Sequence, residues 1–210
     1  MNLLECLVGI AVCLLLVGPL LKVSSDMLIK QVQLEQSQLM TAEADRVLEL
    51  MGRAIRMAGY QNSQSSILYG LRGSKRSSQE SLEVRKGVGI NRSDALYIKQ
   101  EISEGTDFDC IGNVLTQERT KNGLAHQGFF LEHSANNSKG SGMRGGSLMC
   151  QSLDRHGRLQ NKTLTQDVSA LVIDELSTKG VQKLLKVSIQ MRLGNMTPTY
   201  SRTFATRNLP

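Results

Sequence analysis

Apolar positions change their spacing along this chain, and each spacing predicts a different element. From Cys6 to Leu21 they are almost unbroken, in MNLLECLVGIAVCLLLVGPLLK, with one acid, Glu5, at the mouth of the run. From Ser24 to Gly59 they recur every three or four residues, at Leu28, Ile29, Val32, Leu39, Met40, Ala44, Val47, Leu48, Met51, Ala54, Ile55 and Ala58. That is the period of an amphipathic helix. Beyond Ala95 they alternate by two. Leu96, Ile98, Gln100 and Ile102 fall on one face, with Tyr97, Lys99 and Glu101 on the other. Alternation of this kind predicts half-buried strands, also expected at 128–132, 147–153, 168–174, 184–193 and 200–207.

The first run is nearly long enough to cross a bilayer, which takes about 20 apolar residues. It does not have the make-up of a cleaved signal peptide, because no Lys or Arg precedes it and no A-x-A comes after it. The nearest cations, Lys22 and Lys30, lie after the run. By the positive-inside rule they would draw the C-terminal portion of the chain into the cytoplasm, a conflict that the charge pattern of this sequence leaves open. An acid in such a segment costs about 2.5 to 3.5 kcal/mol near the bilayer centre, so Glu5 calls for a cationic partner. Gly18 and Pro19 are expected to kink the run, since proline removes a helix hydrogen bond and clashes with the preceding turn.

Little turn chemistry separates the two helical patterns, so one long, bent helix is predicted. Asp26 can cap a start or lie within the helix, Glu49 stands four residues before Arg53, and Gly59 is placed to end it. Between Lys30 and Gln38 the pattern is polar on most sides. Residues 61–91 read as a connecting loop, and Gly194 to Pro198 as the turn of a terminal hairpin. The fold class expected is α+β, with the helix packed on an antiparallel sheet. Residues 1–23 form its membrane half, 24–59 its amphipathic half and 60–210 a β-rich head.

The N-terminus, M-N-L-L-E-C-L-V-G-I-A-V, resembles that of a mature type IV pilin or pseudopilin. The phrase AIRMAGY, at 54–60, is similar to the end of the long helix in PilW-type minor pilins, a branch related to the J-type pseudopilins of type II secretion. SDALYIKQ, DCIG, SLMC, DVSALVIDE, LKVSIQMRL and RTFATRNL then occur in family order. Two positions depart from the usual pattern: Met1 stands where Phe is common, and Asn2 where Thr or Ser is frequent.

The resemblance implies a pilin-like fold and a short basic leader ending in Gly, cut by a prepilin peptidase. It also implies N-methylation of Met1 and pairing of that amine with Glu5 of an adjacent subunit. The implied function is a minor subunit that primes filament assembly at or near the tip of a pilus. The implied partners are other minor pilins, the major pilin and a tip adhesin. Before assembly the helix would sit in the bacterial inner membrane with the head in the periplasm, and afterwards in an extracellular pilus. An exported head makes Cys110–Cys150 the expected disulfide, whereas Cys6 and Cys13 lie in the apolar run as small hydrophobes. A J-type pseudopilin is the alternative within the same architecture.

Composition narrows the chemistry further. Twenty-five basic against 19 acidic residues give a net charge of +6, but 4% aromatic content leaves few stacking platforms for single-stranded nucleic acid. Arg72, Lys75, Arg76, Arg85 and Lys86 form a basic loop that offers a contact for DNA, an anionic lipid or an acidic partner subunit, and a membrane-tethered DNA-binding protein is the third alternative function. Glu80 and Glu83 dilute the charge, however, and a solvated loop is the expected reading. Gly140, Gly142 and Gly145 satisfy G-x-G-x-x-G, yet they precede a strand rather than open a helix, which excludes the dinucleotide mechanism. His126, His133 and His156 have no metal-ligand spacing. Asp107 and Asp109 alone are weak calcium ligands and are expected to be solvated turn acids. No enzyme activity, cofactor or metal is expected.

Overall fold

The computed structural model describes residues 3–62, 81–103, 105–121, 123–133, 145–176, 183–194 and 196–209; the side chains of 3–6 and 14–16 fall outside that description. The chain divides into two compact units, Met1–Thr41 and Ala42–Pro210. One helix, α1 (Leu3–Met57), begins in the first and ends in the second. Its sequence favours this length, because Ala, Leu, Met, Glu and Gln dominate and Pro19 is its one proline. The helix runs on through Gly18 and Pro19, and Pro19 leaves its ladder one N–H short. Asp26 lies within it.

Gly59 ends it, as its position in the pattern predicts. Its φ of 73° is the left-handed conformation that glycine adopts freely, and the Tyr60 N–H donates to the Met57 carbonyl at 3.0 Å. This turn is tied to the end of the strand β2 (Ala95–Gln100): the Gly59 N–H donates to the Lys99 carbonyl at 3.1 Å, and the Glu101 N–H to the Tyr60 carbonyl at 2.9 Å.

The predicted apolar face of the helix is covered only in part. Ala44, Val47, Leu48, Met51, Ala54, Ile55 and Ala58 are buried, whereas Leu28, Ile29, Val32 and Leu39 are exposed. Periodicity identifies which side of a helix is apolar. Where a cover begins depends on the sheet, and here it begins at Ala44.

The sheet is a seven-stranded antiparallel meander: β1 (Leu82–Arg85), β2, β3 (Ala125–His133), β4 (Gly146–Leu153), β5 (Leu159–Leu176), β6 (Leu184–Met191) and β7 (Thr199–Ala205), in that order. The α+β arrangement predicted from the sequence is therefore the one observed. The strands expected at 128–132, 147–153, 184–193 and 200–207 lie on β3, β4, β6 and β7.

Residues 61–91, read as loop, contain β1 and the start of a short 3-10 helix at Ile90–Arg92. Leu82 and Val84 alternate with charged residues too briefly to stand out. The strand expected at 168–174 begins earlier, at Leu159, because Gln160 to Thr163 pair with β4 through backbone bonds while offering no apolar alternation. Asp167, with φ of 58°, lies in the irregular stretch where pairing passes from β4 to β6, and Val168 after it pairs with both.

Within the second unit the core lies between α1 and this sheet, with Leu48, Met51 and Ile55 among the side chains buried with Phe129, Ile98, Leu148, Leu171 and Ile189. Gly52 lets the Phe204 ring approach the helix backbone; a Cβ there would overlap the ring. Glu49 pairs with Arg56 at 2.9 Å and Arg202 at 3.6 Å instead of with Arg53. These pairs are half exposed and so contribute little to stability.

Candidate functional site

Every described side chain from Leu7 to Gln36 is exposed, including Leu7, Val8, Ile10, Val12, Val17, Leu20, Leu21 and Val23. Leu20, at 68% exposure, and Met27, at 71%, are as open as residues of an isolated helix. Burying a side chain of this size is worth about 1.5 to 3 kcal/mol, and a contiguous apolar surface this large marks a membrane or protein contact. The helix is long and apolar enough to cross a membrane. Glu5 lies on the backbone of α1, while its side chain, and Met1 entirely, fall outside the described residues. Cys13 is a free, exposed thiol in this stretch.

In the second unit Cys110 and Cys150 form a disulfide, the pairing expected for an exported head. Asp109 organises the segment next to it. Its buried carboxylate accepts from the Ile111 N–H at 3.0 Å, the Asn113 N–H at 2.7 Å, Asn113 Nδ2 at 3.1 Å and the Ser152 hydroxyl at 2.8 Å. Four donors occupy its lone pairs, so Asp109 is a structural acceptor and not the solvated turn acid the sequence suggests. Asp107 is half buried and accepts the Ser103 N–H at 3.1 Å. Beside them, Leu50, Arg53, Met57, Gln100 and Phe108 line a cleft of about 120 Å³. Gln100 Oε1 is buried without a partner among the described residues, a position suited to an ordered water.

Asp94 is the second acid the structure uses. Its buried carboxylate accepts from the Ile173 N–H at 2.8 Å, the Gly87 N–H at 3.0 Å and Lys86 Nζ at 3.0 Å, and Lys86 also donates to the Ile173 carbonyl. Burial alone would raise the Asp94 carboxyl, but these donors outweigh it and hold the group below its ordinary value. Of the basic loop, Arg72, Lys75 and Arg76 lie outside the described residues; Arg85 is paired with Glu83 at 2.7 Å, and Lys86 is taken up by Asp94 and Asp174. Sequence reasoning missed the Asp94 brace. Its one signal is an acid placed immediately before a strand, where it can reach backbone donors outside that strand's own ladder, here on β5 and in the β1–β2 turn.

The histidines are dispersed. His126 is half-buried on β3, and burial lowers its pKa, helped by Lys99 and Lys121. His133 ends β3, and His156 is exposed in the β4–β5 turn. Among the described residues no three His, Cys, Asp or Glu side chains converge on a metal position. Gly140 and Gly142 lie outside the described residues, and Gly145 packs against Asp167 ahead of β4.

These features define an α+β protein with a disulfide-braced head and an N-terminal helix able to span a membrane. Comparison with protein-family models, with characterised proteins and with solved structures finds no match for the chain.

Proposed function

We propose that this chain is a minor type IV pilin of PilW type, a structural subunit that helps to prime filament assembly. The observation that carries this reading is one helix with two environments. Its first part is apolar and exposed on all described sides, and its last turns are buried against an antiparallel sheet. Such a helix can be stored in a bilayer and then packed among the same helices of other subunits, since both settings cover the same apolar surface. The Cys110–Cys150 disulfide is in keeping with a head held in an oxidising compartment.

In this mechanism a peptidase frees the amine of Met1, which is methylated and meets Glu5 of the adjacent subunit. Pairing offsets the cost of holding either charge in an apolar core. Gly18 and Pro19 let the helix bend as it moves between bilayer and filament. The head then faces other minor pilins or an adhesin.

The test is incorporation. Tagged wild-type chain is expected in sheared pilus fractions, whereas Glu5→Ala and Glu5→Lys should accumulate in the membrane and be depleted from pili. Equal incorporation of all three would rule out the pairing. Co-purification with secretion components in place of pilus components would assign the chain to a J-type pseudopilus.

A further inference from the structure

The cations that the sequence gathers into one loop are, where described, already paired. Arg85 is held by Glu83, with its guanidinium 4.7 Å from the Tyr97 ring centre, and Lys86 by two aspartates. A different set forms no ion pair among the described residues. Arg119 and Lys121 lie just ahead of β3, and Arg155 and Arg158 lie in the β4–β5 turn.

The contacts place these segments side by side. Arg119 Nη1 donates to the Leu153 carbonyl at 3.3 Å, and a Cβ built on Gly157 would stand 3.5 Å from the Thr120 carbonyl oxygen. His126 pairs across the sheet with Lys99, and Lys99 and Lys121 both lie close enough to disfavour its protonation. The local acids offset only part of this charge: the Asp154 carboxylate is near enough to Arg158 and His156 to feel their charge, without an ion pair among the described residues. Asp154 Oδ1 accepts the His156 and Arg158 N–H groups, each at 2.8 Å, and so closes the turn. Glu118 forms no ion pair among the described residues, and Glu83 offsets part of the Lys99 charge.

We infer that the 119–121 and 154–158 turns, flanked by Lys99 and His126, form a binding face for the sugar-phosphate backbone of duplex nucleic acid. Guanidinium forks match phosphate oxygens in pairs, and cations set on separate turns suit charges spaced along a strand. Residues 154–158 include no apolar or aromatic side chain beyond His156, and the one exposed leucine at the border, Leu159, falls short of an interfacial anchor. Among the described residues the two turns carry no Phe, Tyr or Trp, so the face reads the phosphate backbone without base preference.

The experiment measures fluorescence anisotropy of a short labelled duplex with the full chain in non-ionic detergent, over a salt series. With about four phosphates neutralised, affinity should fall about 100-fold between roughly 50 and 200 mM salt. Neutralising Lys121, Arg155 and Arg158 together to Ala should weaken low-salt binding by about tenfold or more and make the salt slope shallower by about 1 for each cation removed. Arg155→Lys with Arg158→Lys should retain binding, and Arg207→Ala should leave it unchanged.

Absence of wild-type binding at low salt would overturn the assignment, as would a triple variant that is folded, with its disulfide formed, and binds normally. So would binding to phosphatidylglycerol vesicles in preference to the duplex, or competition by polyglutamate as effective as that by unlabelled duplex. If the triple variant does not fold, Arg155→Ala alone must reduce the slope by about 1, and an unchanged slope overturns the proposal.

Discussion

At the scale of single residues, stability rests on positions whose role depends on distant parts of the chain. Gly52 looks like a flaw in a helix interior, since glycine there costs about 1 kcal/mol relative to alanine. Its reason is the Phe204 ring, which occupies the space a Cβ would need. Gly52→Ala is therefore expected to destabilise the head by about 1 to 3 kcal/mol in chemical denaturation, against the gain that helix propensity alone predicts.

Asp94 gives a pH dependence of definite sign. A carboxyl whose folded pKa is depressed stabilises the fold above its unfolded value, about 3.9, and loses that contribution as pH falls through the lower folded value. Stability should thus decline on acidification below about pH 4, and Asp94→Asn should flatten that part of the profile while costing about 1.5 to 3 kcal/mol at neutral pH. Gly59 was legible from its place after the last apolar repeat. Gly52, Asp94 and Asp109 were not, because their partners lie far along the chain or in a turn with no periodic signal.

Among elements, legibility tracked pattern strength. The alternation from Leu185 to Leu193 is clean, and β6 covers most of it. The first half of β5 presents polar residues on both faces and is a strand because β4 supplies its hydrogen bonds. The cysteine pairing came from the family resemblance, and the structure contains it. With its partners 40 residues apart, the disulfide should contribute about 4 kcal/mol on a chain-entropy account. Reduction, or Cys110→Ser with Cys150→Ser, is expected to lower the denaturation midpoint with little change in far-ultraviolet circular dichroism. The burial limit of α1 escaped the sequence, since Leu28 and Val32 keep the apolar period of Val47 and Met51 without a cover.

For the whole molecule, the decisive contrast is between an exposed apolar stretch and a head with its own core. Val12→Asp should cost about 2.5 to 3.5 kcal/mol of insertion near the bilayer centre and move the chain out of the carbonate-resistant membrane fraction. A charge at Val172, exposed on β5, should leave that fraction unchanged. The apolar run announced this division plainly. The free cations did not announce themselves, because the residues that form the basic face come from three separate stretches of sequence.

The handover in β5 has a mechanical consequence. Its first half pairs with β4, which carries Cys150 of the disulfide, and its second half with β6, while Asp94 and Lys86 tie that second half, at Ile173, back to the segment between β1 and β2. The helix grips both sides: Arg46 donates to the Leu164 carbonyl at 2.9 Å in the first half, and Arg202 and Phe204, on β7 beside β6, meet Asp45 and Gly52. Tension applied along α1 would therefore enter the sheet on both sides of Asp167, and the Asp94 brace to Ile173 would share with the Asp167 peptide the load that passes between them.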